Sequence, residues 1–321
     1  TRNAARSVAA VFRSIVKRGE DPRGAQRYIL QCVVALFSED IGLLQRGLFT
    51  SLIEDCSRGS SSYDLIGGLF HQMNKSHQAR GGRYVDVPYF NGGLFSVVEP
   101  FELTGSEIEL LSAATRDNWA KVQPAIFGTF FEGSMGDTER HSQGAHFTSE
   151  ADIQKVVLPT IVRPWRERIG ATKTAKDLLD LREQLINFRV LDPACGSGNF
   201  LYIAFREMRR LEMELLDKVY TNFGKQIQNM AVGASLVSPQ HFFGIDTNAF
   251  AVELAKVTLM LGKKLAADEA AEYLSAEERM FYQLTDPTLP LDNLDGNIRC
   301  DDALFCDWQK VGAIIGNPPF K

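Results

Sequence analysis

The stretch V-L-D-P-A-C-G-S-G-N-F, which runs from Val190 to Phe200, decides the fold of this chain. An apolar strand pattern ends in Asp192, two glycines follow at Gly196 and Gly198, and a helical pattern then begins. Glycine lets the backbone pass close to a ligand, and the first N–H groups of a helix have no partner within it. The stretch therefore predicts a strand, a tight turn and a helix, with a polar ligand group held at the turn. A tight connection without a ligand is the alternative interpretation of the same pattern.

Two common nucleotide-binding motifs are excluded by the residues around this turn. The dinucleotide fingerprint needs a third glycine, but Leu201 stands at that position. No Gly-Lys-Ser or Gly-Lys-Thr follows, so the turn is not a P-loop. A dehydrogenase that transfers hydride is disfavoured because the third glycine is missing.

Short apolar strands and helices alternate around this unit, which is typical of an α/β fold with a parallel sheet. The segments F-R-V-L-D and H-F-F-G-I-D predict the first two strands, N-I-R-C-D-D the third and V-G-A-I-I-G the fourth. Thr148 or Ser149 is expected to begin a helix through E-A-D-I-Q-K-V-V-L-P-T-I-V. A further helix is expected over Ala175–Asn187, and residues 219–240 and 268–296 are expected to be insertions.

A second acidic residue, Asp246, stands where the second predicted strand ends. The carboxyl ends of adjacent parallel strands line one crevice, so Asp246 should lie near Asp192. A carboxylate in that place is suited to accept hydrogen bonds from both hydroxyls of a ribose. Asp246 could instead cap the helix that begins near Asn248, and the two roles are compatible.

The fourth predicted strand leads into N-P-P-F, Asn317–Phe320. Proline cannot continue a central strand and holds the residue before it extended, so a stiff loop should leave the sheet after Gly316. The loop would present the Asn317 amide oxygen and the Pro318 carbonyl as two acceptors, with Phe320 as a flat apolar surface beside them. A planar ring that bears an amino group fits, because two acceptors stabilise the positive charge that grows as the nitrogen attacks. A loop that only ends the strand and packs its Phe is the structural alternative.

Residues 1–138 are predicted to form a mainly helical spacer domain, and residues 139–321 to form the α/β domain. The segment V-P-Y-F-N-G-G-L-F places Asn91-Gly92-Gly93 where a tight turn is expected. Upstream, the segment Y-I-L-Q-C-V-V-A-L-F has apolar residues at the spacing of one helical stripe, namely Ile29, Leu30, Val33, Val34 and Phe37.

Composition indicates an ordinary globular protein, with 45% hydrophobic and 23% charged residues. A net charge of -5 excludes a general basic coat but leaves local basic patches open. Five cysteines without a C-x-x-C pair argue against a disulfide framework or a zinc ribbon, so no metal site is predicted. A cytoplasmic location is expected, since a reducing compartment suits free cysteines and no secretory signal is visible.

The sequence D-P-A-C-G-S-G-N-F followed by N-P-P-F resembles the S-adenosylmethionine-binding and catalytic motifs of amino-methylating DNA methyltransferases, in the gamma-type order. More closely, R-H-S-Q-G-A-H-F-T-S-E-A-D-I-Q-K-V-V-L-P-T-I, A-L-F-S-E-D-I-G-L-L and Y-F-N-G-G-L-F are similar to the fused restriction–modification enzymes of the MmeI-like (type IIL/IIG) family. Methylases of related phage-defence systems are similar too. The resemblance spans most of the chain and implies a Rossmann-like methyltransferase sheet behind a helical spacer.

The resemblance also implies a role for each matching residue. Asp302 is a better match than Asp301 for the acid that faces the adenine ring of the donor. His146 and Phe147 could instead belong to the core. The residues that would bind or border the donor S-adenosylmethionine are His146, Phe147, Thr148, Asp192, Ala194, Gly196, Gly198, Asn199, Phe200, Asp246, Asp302 and Ala303. The residues that would hold the target base are Asn317, Pro318, Pro319 and Phe320.

The function that the resemblance implies is methylation of adenine N6 in double-stranded DNA, as part of a restriction–modification or phage-defence enzyme. The methyl group would pass directly to a base flipped out of the duplex. Cys195 lies in the glycine turn rather than in a Pro-Cys loop, which argues against a carbon-5 cytosine mechanism. The alternatives are an amino-methyltransferase acting on guanine N2 of RNA or on a protein glutamine, and a non-catalytic scaffold with a vestigial donor fold.

The sequence also sets expectations about the parent protein. Metal-dependent nucleases of this family carry an acid two residues before a lysine, and no lysine here has one, so nuclease and target-recognition domains are expected outside this segment. A complete methyltransferase sheet needs about three further strands after the N-P-P-F loop. The chain is therefore expected to be truncated after this motif, and the 321 residues alone are expected to lack methylation activity.

Overall fold

The computed structural model describes residues 2–90, 93–121, 148–227, 237–281 and 294–319. The chain divides into two compact units, Thr1–His146 with Thr288–Asp295, and Phe147–Pro287 with Gly296–Lys321. The predicted domain boundary between residues 138 and 139 lies outside the described residues and stays a prediction. None of the helices in these ranges is both long enough and apolar enough to cross a membrane.

The described part of the first unit is helical, as the sequence predicts. Helix α5 begins with a capping box in which Thr104 and Glu107 exchange side-chain to backbone hydrogen bonds. Of the predicted turn at Asn91-Gly92-Gly93, the first two residues lie outside the described residues, and Gly93–Phe95 forms a short 3-10 helix. The helices of this unit are α1 (Arg2–Lys17), α2 (Pro22–Asp40), α3 (Leu48–Ser57), α4 (Ser62–Met73) and α5 (Gly105–Ala114).

Helix α2 is buried on all sides and not only along the predicted stripe. Phe37 and the other residues of the stripe are buried, but so are polar residues between them, such as Gln31 and Glu39. The Gln31 amide donates to the carbonyl of Leu94 at 2.8 Å, and the Glu39 carboxylate accepts the N–H of Thr50 at 3.1 Å. These hydrogen bonds offset part of the cost of burying the two side chains. Helix α2 is therefore the central helix of the first unit.

The second unit combines helices with a parallel sheet. A π-helical turn, Leu158–Val162, contains Pro159 and joins α6 to α7. Ser149 caps α6, since its hydroxyl accepts the N–H of Asp152, which settles the predicted choice between Thr148 and Ser149. The helices of this unit are α6 (Glu150–Val157), α7 (Arg163–Ala171), α8 (Ala175–Ile186), α9 (Asn199–Ile227), α10 (Ala249–Tyr273) and α11 (Ala276–Phe281).

Two stretches that the sequence marks as insertions differ in part from that expectation. Residues 219–227 continue α9, and residues 268–273 are the end of α10. The two helices pack against each other, with the ring of Tyr202 on α9 lying against Gly262 on α10.

The four predicted strands are all present and form one parallel sheet in the order β3-β2-β1-β4. Leu191 in β1 pairs with Phe243 on one side and with Ile314 on the other. The chain adds β2 and β3 on one side of β1 and then places β4 on the other side. Ligands of open α/β sheets bind at the carboxyl ends of the strands where the order reverses, which here is between β1 and β4. The strands are β1 (Val190–Asp192), β2 (Phe242–Asp246), β3 (Ile298–Cys300) and β4 (Ala313–Ile314).

A buried charge cluster joins α8 to α9 and fixes the helix that follows the glycine turn. Glu212 on α9 is fully buried, with its carboxylate 3.2 Å from the Arg182 guanidinium and 3.0 Å from that of Arg209. The N–H of Val237 also donates to it at 2.9 Å. Burial raises the pKa of Glu212 even though the two arginines oppose that change. Removing the carboxylate would take a buried counter-ion away from both arginines.

We expect Glu212→Ala to lower the free energy of unfolding of the second unit by about 3–5 kcal/mol. Native-state hydrogen exchange of the α9 amides measures this quantity locally. Asp268→Ala is the matched control, since it removes an exposed partner of Lys264 and should cost less than about 1 kcal/mol. Equal losses in the two variants would contradict a structural role for the cluster.

Candidate functional site

The glycine turn after β1 is held against β2 and is open on one side. The N–H of Cys195 donates to the carbonyl of Ile245 at 3.0 Å, and the N–H of Gly198 to the carbonyl of Cys195 at 2.8 Å. Gly198 has a φ of 81°, and a Cβ there would lie 2.9 Å from the Cα of Ala255 on α10. At Gly196, by contrast, a Cβ would meet nothing within 4 Å. The turn therefore packs on one side and leaves space on the other.

Asp246 at the end of β2 contacts the glycine turn through one carboxylate oxygen and the segment before α10 through the other. Oδ2 accepts the N–H of Gly196 at 2.8 Å, and Oδ1 accepts the N–H of Asn248 at 2.9 Å. Burial raises the pKa of Asp246, and the two backbone hydrogen bonds oppose the rise. The cap of α10 is Asn248, whose amide oxygen accepts the N–H groups of Phe250 and Ala251. The alternative prediction that Asp246 caps this helix is therefore wrong.

Asp192 at the end of β1 is a buried acid with an unused acceptor. Its side chain is 1% exposed, and Oδ1 accepts the N–H of Ala194 at 3.0 Å. Within the described part of the chain, Oδ2 is buried without a hydrogen-bond partner. Burial, and then the nearby charge of Asp246, raise the pKa of Asp192 from 3.8 to about 7. A buried acceptor without a donor indicates a place where a ligand donor fits.

The loop after β4 begins directly against Asp192. A Cβ at Gly316 would overlap the Asp192 carboxylate, so only glycine allows the chain to pass there. Asn317 follows and is exposed, and its Nδ2 donates to the hydroxyl of Thr148 at 3.3 Å. Pro318 and Pro319 are exposed as well. The structure thus brings the proline loop and the Asp192 carboxylate to the same edge of the sheet.

Three of the predicted site residues, His146, Phe147 and Phe320, lie outside the described residues. Their predicted roles stay predictions.

The end of β3 adjoins Asp246. The N–H of Asp301 donates to the carbonyl of Asp246 at 3.0 Å, and the Asp301 carboxylate accepts the N–H of Asp302 at 2.9 Å. The Asp302 carboxylate in turn accepts the N–H of Leu304 at 2.9 Å. Both carboxylates are exposed, so the preference for Asp302 over Asp301 stays a prediction. Ala303 accepts an indole hydrogen bond through its carbonyl.

Asn199 and Phe200 begin α9 and are both buried. The Asn199 amide oxygen is buried without a partner among the described residues.

Sequence reasoning missed the roles that two glycines have in the site. Gly316 gives the proline loop its contact with Asp192, and a Cβ at Gly244 in β2 would lie 2.8 Å from the Cys195 sulfur. The signal was present, because a glycine inside an apolar strand pattern often marks a close approach of another part of the chain. The pattern does not identify the residue that each glycine approaches, however, because that residue is distant in the sequence.

The arrangement suits a ligand that carries both hydroxyl groups and positive charge. The open side of the turn at Gly196 leaves room, the unused oxygen of Asp192 can accept from a cationic donor group, and Asp246 can accept from hydroxyls. The loop that carries Asn317 begins beside Asp192, at the same edge of the sheet. The groups present therefore fit a methyl donor of the adenosine type.

The sheet order and this site define the fold of the S-adenosylmethionine-dependent methyltransferases. The family model described as the MmeI DNA-methyltransferase domain matches residues 168–321, and the model of the MmeI helicase spacer domain matches residues 23–95. The chain belongs to the MmeI-like family.

Two relatives illustrate the match. DNA methyltransferase A of Bacillus subtilis (strain 168) is 30% identical over 322 residues, which cover 94% of this chain and 34% of the relative. A solved structure of the type IIL restriction-modification enzyme MmeI in complex with DNA matches with a TM-score of 0.79 and 28% identity, over 100% of this chain and 43% of that one. The chain thus spans about a third of the first relative and less than half of the second.

Proposed function

We propose that this chain is the donor-binding and catalytic part of a DNA methyltransferase that methylates adenine N6. The observation that supports the proposal is the close approach of Gly316, which precedes the Asn-Pro-Pro loop, to the carboxylate of Asp192, which precedes the glycine turn. A donor at the turn and an amine at the loop would then meet across one crevice. The family membership supports a restriction–modification or phage-defence enzyme as the parent protein, acting in the cytoplasm, where the DNA is.

We propose S-adenosylmethionine as the methyl donor. When bound, it supplies a methyl group on a positively charged sulfur. Asp246 would accept hydrogen bonds from the ribose hydroxyls with the same oxygens that accept the N–H groups of Gly196 and Asn248, since a carboxylate oxygen can accept more than one. Asp192 would attract the cationic amino-acid end, and Asp302 with Ala303 would border the adenine ring. Thr148, Ala194, Gly196, Gly198, Asn199 and Phe200, together with His146 and Phe147, would line the rest of the pocket.

The chain's own residues act on the amine through orientation and electrostatics. The Asn317 amide oxygen and the Pro318 carbonyl would accept the two N–H groups of adenine N6 and stabilise the positive charge that grows during attack. Alignment of nucleophile and methyl group contributes about 7–11 kcal/mol to such reactions. Pro319 keeps the loop stiff, and Phe320 would stack on the ring, which is worth about 1–3 kcal/mol. No covalent bond to the protein is needed.

Duplex DNA is the partner that this chemistry favours. The adenine amino group is paired inside the duplex, so the base has to be flipped into the crevice. The solved structure of MmeI is a complex with DNA, and the likeness of this chain to MmeI supports the same partner here. The residues that read the sequence would belong to other parts of the parent protein, as would a nuclease.

The test is methyl transfer by the full-length gene product, with a tritiated donor and separate DNA, RNA and protein substrates. We expect label on DNA and none on the other two. Label on RNA would favour guanine N2 as the target, and label on protein would favour a glutamine side chain. Intact donor binding without transfer to any of them would support a non-catalytic scaffold.

Donor affinity should depend on pH through Asp192. Its pKa is raised from 3.8 to about 7, so the acid is largely neutral below that pH and charged above it. Because folding raises this pKa, protonation of Asp192 adds to the free energy of unfolding. That contribution is lost as the pH rises through about 7. The charged form attracts a cationic donor. We therefore expect the donor Kd to fall by about tenfold from about pH 6 to about pH 8, as one unit of pKa corresponds to tenfold.

Isothermal titration of the full-length protein with S-adenosylmethionine measures this dependence. Asp192→Asn keeps an acceptor for the N–H of Ala194 and cannot ionise, so its donor Kd should not fall over the same range. A tenfold fall in Kd that persists in Asp192→Asn would assign the titration to another group.

A further inference from the structure

Positive charge is concentrated in the part of the chain that forms α1 and the start of α2. Residues 1–27 carry seven arginines and lysines and two acids, which gives a net charge of +5, while the other 294 residues carry -10. Helix α1 itself contains no acidic residue. A locally basic surface attracts anions even when the protein as a whole is acidic.

The exposed cations of α1 lie on one face of the helix. Arg6, Arg13 and Lys17 are separated by seven and then four residues, a spacing that places them on the same side of an α-helix, and all three are exposed. From the first to the last, this face extends about 16 Å along the helix axis. The opposite face is buried, and its residues are Val8, Val11, Phe12 and Ile15.

Helix α1 is held within the first unit by its buried face and by the residue that follows it. The Arg18 guanidinium donates to the carbonyl of Glu102 at 2.9 Å and lies 3.5 Å from the Glu107 carboxylate at the start of α5. Arg18 is therefore engaged inside the unit. Because these contacts fix the helix, the exposed cations form a surface that exists before any partner binds.

The exposed cations of α1 have no counter-ion among the described residues, since Arg6, Arg13 and Lys17 form no ion pair there. On α7, by contrast, the exposed Arg166 pairs with Glu214 at 2.5 Å. Like charges four residues apart destabilise a helix, and α1 has no acid that would compensate. The stability of the helix therefore gives no reason for this arrangement, whereas an external polyanion does.

We propose that this surface, the α1 basic face (Arg6, Arg13 and Lys17), binds the phosphate backbone of duplex DNA. The inference rests on the proposed function, which makes duplex DNA the partner, and adds a contact surface in the helical unit. Duplex DNA carries one negative charge per about 1.7 Å of its axis, so a length of about 16 Å offers more phosphates than the face has cations. Contacts of this kind position the protein on the duplex and carry no sequence information.

The test measures how the affinity of the full-length gene product for a short labelled duplex depends on KCl between about 50 and about 200 mM. One variant combines Arg6→Gln, Arg13→Gln and Lys17→Gln, which remove the charges and keep much of each side chain. We expect the slope of log affinity against log salt concentration to become shallower by about 3, since each lost phosphate contact removes about 1. The Kd at about 50 mM KCl should rise at least about tenfold, and equally for duplexes of different sequence. Arg13→Gln alone should change the slope by about 1.

The matched control neutralises three exposed cations outside α1, in a variant that combines Arg116→Gln, Lys173→Gln and Lys176→Gln. Each of these cations has an acidic residue within four positions of the sequence, so its surroundings are less basic than the α1 face. The control should change the slope by less than about 1. Both triple variants should bind S-adenosylmethionine with a Kd within about threefold of wild type, because exposed substitutions of this kind leave the fold intact.

A slope equal to wild type in the α1 variant would overturn the inference, as would equal changes in the two triple variants, which would report total charge. A lower melting temperature with an unchanged slope would assign the face to an acidic segment of the protein itself, and a loss of affinity confined to RNA would assign it to RNA; either result would also overturn the inference. Loss of duplex affinity as expected, together with a wild-type protein that methylates no DNA, would refute the proposed function and support the α1 basic face as a DNA contact.

Discussion

Asn317→Ala in the full-length protein is expected to lower the single-turnover rate of methyl transfer by about 10³-fold. The change removes an acceptor for the target amine and leaves the backbone of the loop in place, since Pro318 and Pro319 keep it stiff. Because Asn317 is proposed to hold the target amine and not the donor, donor affinity should change by less than about threefold. Rapid-quench kinetics with a labelled donor and a duplex substrate measure the rate, and titration measures the affinity.

The control for this variant is Asn222→Ala, which removes an exposed side-chain amide on α9 whose nitrogen donates to the carbonyl of Lys218 at 2.9 Å. It should leave the transfer rate nearly unchanged. If Asn317→Ala transfers methyl groups at a rate close to wild type, the side-chain amide is not an acceptor in the reaction. If it loses donor affinity and transfer together, the loop belongs to the donor pocket and the two-substrate arrangement is wrong.

Asp246→Ala is expected to raise the donor Kd by about 10²- to 10⁴-fold, as each hydrogen bond to a charged group contributes about 1.5–3 kcal/mol. The carboxylate has two duties in this account. It accepts the N–H groups of Gly196 and Asn248 at 2.8 and 2.9 Å, which stabilises the glycine turn and the segment before α10, and it would accept the ribose hydroxyls of the donor. Titration calorimetry of the full-length protein with S-adenosylmethionine gives the Kd directly.

Asp246→Asn separates the two duties. It keeps one acceptor oxygen and loses the charge, so its donor Kd should lie between those of wild type and Asp246→Ala. Glu253→Gln, which removes a charge from the helix that follows β2, is the matched control and should bind the donor normally. A donor Kd for Asp246→Ala within tenfold of wild type would show that the donor is not held at the end of β2.

The local elements of the α/β unit were predictable from the sequence. The strands before Asp192 and Asp246 are short apolar runs bounded by turn residues, and the glycine turn follows from residues that are neighbours in the chain. The family model that matches residues 168–321 confirms the class of fold. Local signals suffice for these features because strand, turn and cap preferences act over a few residues.

The contacts that build the site were harder to predict. The position of β4 beside β1 is a property of the whole sheet, and nothing near Gly316 indicates that it will meet Asp192. The bond between Asn317 and Thr148 likewise joins residues 169 apart. Helix α2 gives a third example. Its apolar stripe was predicted correctly, but the burial of Gln31 was not, because it depends on a hydrogen bond to the carbonyl of Leu94 in another segment.

Product analysis of methylated DNA tests the central claim most directly. The full-length protein is incubated with duplex DNA and S-adenosylmethionine that carries a trideuterated methyl group, and the nucleosides are then separated and examined by mass spectrometry. We predict that the heavy methyl group is found on N6 of deoxyadenosine and that Asn317→Ala removes it. Heavy methyl on carbon 5 of deoxycytidine, or DNA that stays unlabelled while the protein binds the donor, would contradict the account.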